Sequence, residues 1–165
     1  MAASTSKKVV VHRFDRTSIA GILDPSAGIQ ADRVEFLKPD GTLASVPLEE
    51  VKIVCFVRDF QGNSPAQEQR IFRSRPKSEG LWIRCQFRDN DFLEGIVPNN
   101  LLAMGAGGVT FVPPDPTANN QRIFAPRAAL RECIVMGVIG SVASKGRKAA
   151  GDEKKQIGLF DETVR

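Results

Sequence analysis

The sequence predicts an all-β protein made of two tandem five-stranded small barrels followed by a disordered C-terminal tail, and three observations carry that expectation. A run of matched segments occurs twice in the same order. VVVHRF, DRTSIAGIL, VEFLKPDG and VPLEEVKIVCFV are followed later by WIRCQF, RDNDFLEGIV, VTFVPPDP and FAPRAALRECIV. Within them Gly21 matches Gly95, Phe36 matches Phe111, Asp40 matches Asp115, Pro47 matches Pro126 and Val51 matches Leu130. Matches that keep their order over a whole module mark an internal duplication. The second observation is composition: 14 Gly, 10 Pro and 10 Phe, with many Val and Ile, suit short strands and frequent turns. The third is apolar spacing of the strand type, at Val9 and Val11 and again at Ile83, Cys85 and Phe87.

Each copy reads as about five short strands. Asp15–Ser18 and Arg88–Asp91 are hairpin turns in their composition, and Lys38-Pro39-Asp40-Gly41 is another. Pro47–Glu50 and Pro126–Ala129 each predict one helical turn before the last strand, because Pro lacks only an N–H that would be unpaired there. The first barrel is expected over residues 7–60 and the second over 81–140. Residues 61–80 (QGNSPAQEQRIFRSRPKSEG) are polar and basic and read as a linker. Residues 141–165, small and charged, read as a flexible tail. Curling five strands into a barrel would remove exposed strand edges. A module of this size buries little apolar surface alone, so the barrels are expected to pack together or form a homodimer.

The chain has 165 residues, 42% of them hydrophobic, enough for a packed core. A net charge of +4 permits an acidic partner or a phosphate backbone without requiring either. Cys55, Cys85 and Cys133 are an odd number without CxxC spacing, each inside an apolar run, and are expected to be buried reduced thiols in a cytoplasmic protein. The N-terminus lacks the apolar core of a secretory signal, and the longest apolar stretch, from Cys133 to Ala143, is too short to span a bilayer. No membrane association is expected.

The order of strand, turn, hydrophobic-x-Gly strand, VEF-turn strand and VPL-x-x-VK segment resembles the SH3-like and Sm-like small barrels, and its ending is similar to that of PRC-type barrels. The closer resemblance is to a bacterial domain of unknown function that recurs in tandem pairs, most recognisable in VPL…VK…FVRDF. Small barrels serve many functions, so the resemblance implies a fold and no activity. The Sm pattern Asp-x-x-Met-Asn is absent, which weakens RNA binding by the Sm route. A resemblance to the cyclic-dinucleotide-binding PilZ family reaches only Ser18-Ile19-Ala20-Gly21, since Asp15 stands one residue too early.

Nothing in the sequence composes an active site, and the protein is expected not to be an enzyme and to need no cofactor. His12 is the single histidine, and no serine has a nucleophile-elbow context. Asp89-Asn90-Asp91 is turn chemistry with too few oxygens for a metal, and Gly105–Gly108 lacks the Lys-Ser/Thr of a phosphate loop, so no metal site is expected. Arg70, Arg73, Arg75 and Lys77 surround Phe72 in the linker. They could grip phosphates while Phe72 stacks on a base, or they could be a solvated charged segment. Leu101, Leu102 and Met104 are apolar within a loop and could fill a gap between barrels or form a partner-binding patch.

The sharpest motif lies in the tail. Gln156-Ile157-Gly158-Leu159-Phe160 resembles the pentapeptide by which bacterial polymerases and repair proteins dock on the DNA sliding clamp. Leu159 and Phe160 would fill an apolar pocket and Gln156 would anchor a second subsite through its amide. An unstructured peptide can enter such a groove, although the pair could instead fold back or self-associate. The leading expectation is an adaptor near replication or repair, its tail on the clamp and its linker against DNA. A regulatory module binding a protein or small ligand through the barrels is the alternative, and an Sm-like RNA-binding protein the weaker one.

Overall fold

The computed structural model describes residues 5–62, 68–100, 102, 104–105, 107–115 and 117–140. Ten strands run in chain order: β1 (Lys7–Arg13), β2 (Ser18–Leu23), β3 (Arg33–Leu37), β4 (Leu43–Pro47), β5 (Val51–Val57), β6 (Gly80–Phe87), β7 (Phe92–Val97), β8 (Gly108–Phe111), β9 (Asn120–Pro126) and β10 (Leu130–Ile139). A 3-10 turn, Arg127–Ala129, with Pro126 as its cap, leads into β10. The protein is all-β, as its sequence predicts.

The strands form a seven-stranded sheet in the order β4-β3-β2-β1-β5-β9-β8 and a three-stranded sheet in the order β10-β6-β7. A single bridge, Ile96 to Val112, links β7 to the end of β8. The connectivity β5-β1-β2-β3-β4 thus recurs as β10-β6-β7, the bridge, and β8-β9. Detail recurs with it. The ladder of β1 with β5 shifts register after His12, and the ladder of β6 with β10 shifts at the matching place, between Leu130 and Glu132. Arg16 and Asn90 hold the same left-handed backbone (φ 70° and 67°) in the matched hairpins. In each hairpin a backbone N–H reaches back to an Asp carboxylate, Thr17 to Asp15 and Asp91 to Asp89.

The expectation of two separate closed barrels is corrected by the pairing. Neither sheet closes on itself, and β9, the fourth strand of the second set, pairs with β5 of the first through Val54–Phe124, Cys55–Ile123 and Phe56–Arg122. The bonds that would close a barrel instead join the two halves, and β4 and β10 remain as edges. Alternation along β5 and β9 then divides the interior in two. Val54 and Phe124 face a first core with Val9, Val11, Leu23, Val34, Phe36 and Val51. Cys55, Val57 and Ile123 face a second core with Ile83, Cys85, Phe87, Val109 and Phe111. The two cores lie on opposite faces of one shared seam.

Close packing in each core depends on a glycine. A Cβ at Gly21 would collide with the Phe36 ring and lie 2.6 Å from the Leu37 carbonyl oxygen. A Cβ at Gly95 would collide with the Phe111 ring and lie 2.8 Å from the Val112 oxygen. The hydrophobic-x-Gly strands of the sequence are therefore the places where an aromatic ring lies directly on a neighbouring backbone.

Two further expectations change. Cys55 and Cys85 are buried, but Cys133 is exposed, because it lies on β10, which pairs with no strand on its outer side among the described residues. Its Sγ stands 3.6 Å from that of Cys85 on the paired strand, a thiol hydrogen bond and not a disulfide. The described part of the linker is not a free chain either. Glu94 N–H donates to the Arg70 carbonyl and Phe72 N–H donates to Glu94 Oε2, so residues 70–72 lie along β7.

Candidate functional site

Where the halves meet, the end of β1, β5, the 68–70 segment, β7 and the 113–115 loop enclose a cleft of about 190 Å³. Its floor is apolar, with Ile53, Cys55, Leu93 and Ile123. Its rim mixes signs: His12, Arg13, Arg16, Lys52 and Arg70 against Glu68, Asp91 and Asp115.

Most of this charge is already paired. Lys52 Nζ lies 2.6 Å from Asp89 and 2.9 Å from Asp91, bonding a first-half strand to a second-half turn. Arg70 reaches both oxygens of Asp91, at 2.7 and 2.8 Å. Against the pull of partial burial, the bond from Lys52 and the charges of Lys52 and Arg70 hold the Asp91 carboxyl below the usual carboxylate range. Arg13 pairs with Asp15 and Glu50. Burial, and then the nearby Lys52 charge, push the His12 imidazole below its ordinary pKa, so it stands neutral with Nδ1 2.7 Å from Ser18 Oγ. Burial raises the Glu68 carboxyl, which accepts a bond from Asn120. Arg16 pairs with no carboxylate among the described residues and is the rim cation left for an anionic group. The arrangement can seat an apolar group with a small charge at its edge. Among the described residues no group of three metal-ligating side chains comes together.

In the wall of the cleft stands a residue the sequence reading passed over. Glu94 is 1% exposed, the one buried charged side chain among the described residues. It accepts bonds from Phe72 N–H at 2.9 Å, Trp82 Nε1 at 3.1 Å and the Arg84 guanidinium at 2.9 and 2.5 Å. Phe72 also meets the Trp82 ring edge-on, with centroids 6.0 Å apart. Glu94 is thereby the anchor of the linker, and the signal for it was an acid inside the apolar strand FLEGIV.

The predicted contact residues separate. Arg70 is held by Asp91, Phe72 is partly buried on Trp82, and Arg75 donates to the Val138 carbonyl at 3.4 Å. Arg73 and Lys77 stand exposed. These five do not form one basic stripe. In the apolar loop, Leu102 is 94% exposed while Met104 packs against the second core, and Leu101 lies outside the described residues. Gln156, Ile157, Leu159 and Phe160, with the whole of 141–165, also lie outside them. No helix of the described residues is long and apolar enough to cross a membrane.

No curated protein and no solved structure matches the chain. A family model does, over residues 5–137, which takes in every strand except the end of β10 and leaves out the tail. The chain belongs to that family, the Family of unknown function (DUF6982).

Proposed function

We propose that the protein is a non-enzymatic adaptor: a β-sheet body that carries a C-terminal peptide for docking on the DNA sliding clamp. The observation behind this reading is the segment Gln156-Ile157-Gly158-Leu159-Phe160, set among charged residues beyond the family-matched body. Leu159 and Phe160 each bring about 1.5–3 kcal/mol of apolar burial to a pocket, and the Gln156 amide supplies paired donor and acceptor groups. Within the same proposal, residues 7–60 and 81–140 are two copies of one SH3-like or Sm-like barrel left open at the seam. Arg73 and Lys77 are the linker residues still free to approach a nucleic-acid backbone.

The test is a fluorescence-anisotropy titration of a peptide of residues 151–165 against purified bacterial clamp. Micromolar binding is expected, about 8 kcal/mol, and Leu159→Ala with Phe160→Ala should remove most of it. A peptide that fails to saturate, or that binds no better than the double-Ala form, ends the adaptor reading.

The cleft favours a second reading, a regulatory module whose body takes a small ligand or a partner's side chain. Its apolar floor and the uncommitted Arg16 support that reading. A chemical-shift titration of the full chain with small anionic compounds should perturb Ile53, Leu93 and Ile123 together, with or without residues 141–165. If no compound does so, the cleft is a structural gap.

A further inference from the structure

The last strand of each half occupies the same place, yet among the described residues only one of them is covered. On β5, Val54 is 0% exposed, Cys55 1% and Val57 7%, because β9 lies along the strand. The residues of β10 that match Val54 and Cys55 are Cys133 and Ile134, by their shared positions opposite β1 and β6, and Met136 matches Val57 by its place along the strand. Ile134 is 43% exposed, Val135 46%, Met136 40% and Val138 56%, and Cys133 is exposed too. Phe124 of β9 covers Val54 in the first core. At the matching place in the second half there is an open apolar groove, lined by Met104, Val109, Leu130, Cys133 and Val135. β10 thus presents a long edge that pairs with no strand on its outer side among the described residues, Arg75 reaching only the Val138 carbonyl, and from Cys133 onward it is apolar on both faces and without the lysine or proline that usually blocks such an edge.

The strand that would complete β10 also exists in the chain, at the opposite end. β9 corresponds to β4: Val109, Phe111, Ala125 and Ile123 pair in β8–β9 as Val34, Phe36, Val46 and Ala44 pair in β3–β4. Among the described residues no strand pairs with the outer edge of β4. Lys38 N–H donates to Thr42 and Leu48 N–H to Asp32, so the bonded pairs alternate and the backbone groups of Leu43 and Ser45 point outward. Leu43, on the same face as Ser45, is 69% exposed.

We propose that a second copy of this chain lays its β4 edge along β10, repeating between chains the junction that β5 and β9 make within one. In the register of that internal junction, Ser45 faces Cys133 and Leu43 faces Val135 at the mouth of the groove. Because the contact joins unlike surfaces, it builds head-to-tail assemblies that close into a ring or lengthen with concentration. Since β10 and β4 both lie outside the cleft and the tail peptide, the contact is independent of the proposed function.

Light scattering on the full chain, over a wide range of concentrations, tests it. A mass at least double the 18.0 kDa of one chain is expected. Ile134→Lys with Met136→Lys on β10, and separately Leu43→Lys on β4, should each return the mass to one chain with an unchanged circular-dichroism spectrum, since all three side chains are exposed. Mixing the two variant proteins should yield a one-to-one dimer, because one carries an intact β4 and the other an intact β10. A wild-type chain that stays monomeric overturns the proposal, as does association that appears only once residues 141–165 are removed. A Leu43→Lys variant that still associates through β10 alone overturns it as well, since that would mark a symmetric β10–β10 contact.

Discussion

At the scale of single residues, the duplication is sharpest in its glycines. Gly21 and Gly95 each lie under an aromatic ring with a carbonyl oxygen close by, and neither obstacle is the far end of a flexible side chain. Gly21→Ala and Gly95→Ala should each destabilise the fold by about 1–3 kcal/mol through overpacking, measured by urea unfolding; a loss below the error of the fit would show that the rings can shift. Both glycines were legible in the sequence as a matched pair, though their role was not, because it depends on Phe36 and Phe111 arriving from other strands. Cys133 shows the opposite case. Its apolar run reads as buried, but an apolar pattern reveals what a residue suits and not whether a strand comes to cover it. The bond from the Cys85 thiol draws the Cys133 pKa down to about 7, while the same contact and burial push Cys85 up and burial pushes Cys55 up. Only the thiolate reacts with iodoacetamide. Native labelling should therefore modify Cys133 alone, with a rate that climbs as pH rises through about 7 and levels off above it. Equal labelling of all three thiols, or a rate still climbing steeply toward pH 9 as for an ordinary thiol, would contradict this geometry.

At the scale of elements, the linker differs most from its sequence. Residues 68–80 are polar, and polar composition ordinarily means a solvated connection. What holds them is one carboxylate that serves three partners at once. With Glu94 truncated, Phe72 N–H and Trp82 Nε1–H lose their shared acceptor in a partly buried site, and each hydrogen bond to a charged group is worth about 1.5–3 kcal/mol. The Arg84 contribution is smaller, because that side chain is 41% exposed and water replaces much of the pairing. Glu94→Ala should lower stability by about 2–4 kcal/mol and release the segment, so limited trypsin digestion should cut sooner after Arg70, Arg73 and Lys77. Unchanged cleavage would mean that Phe72 against Trp82 holds the linker without the carboxylate. The strands and hairpins themselves followed from local pattern, since alternation and turn chemistry act within a few residues. The anchoring of the linker did not, because it pairs Arg70 and Phe72 with a strand far along the chain.

At the scale of the whole molecule, the repeat predicted two modules and the pairing makes one interdependent body. The sequence pattern could reveal that each half has five strands, but both halves of a duplication carry the same edges. Which edge meets which is a choice between chemically similar ladders, and local pattern does not express it. The choice has an energetic consequence. An isolated first half would lose Phe124, which is 6% exposed within the first core, together with the ladder partner of β5. An isolated second half would lose Cys55 and Val57 from its own core. Each is of a size at which a single core is marginal even when complete, and truncating one buried Phe costs about 3–5 kcal/mol. Neither residues 1–62 nor residues 68–140 should therefore unfold cooperatively when expressed alone. Phe124→Ala should collapse the first core although it sits in the second half of the sequence, exposing the Val9 and Val11 amides to hydrogen exchange. A chain cut at a protease site inserted within 63–67 should nevertheless remain a folded one-to-one complex, because the β5–β9 ladder and both cores do not depend on that connection. A first half that alone gave a dispersed amide spectrum and a sharp thermal transition would show that the seam joins two self-sufficient modules and that the shared cores contribute little.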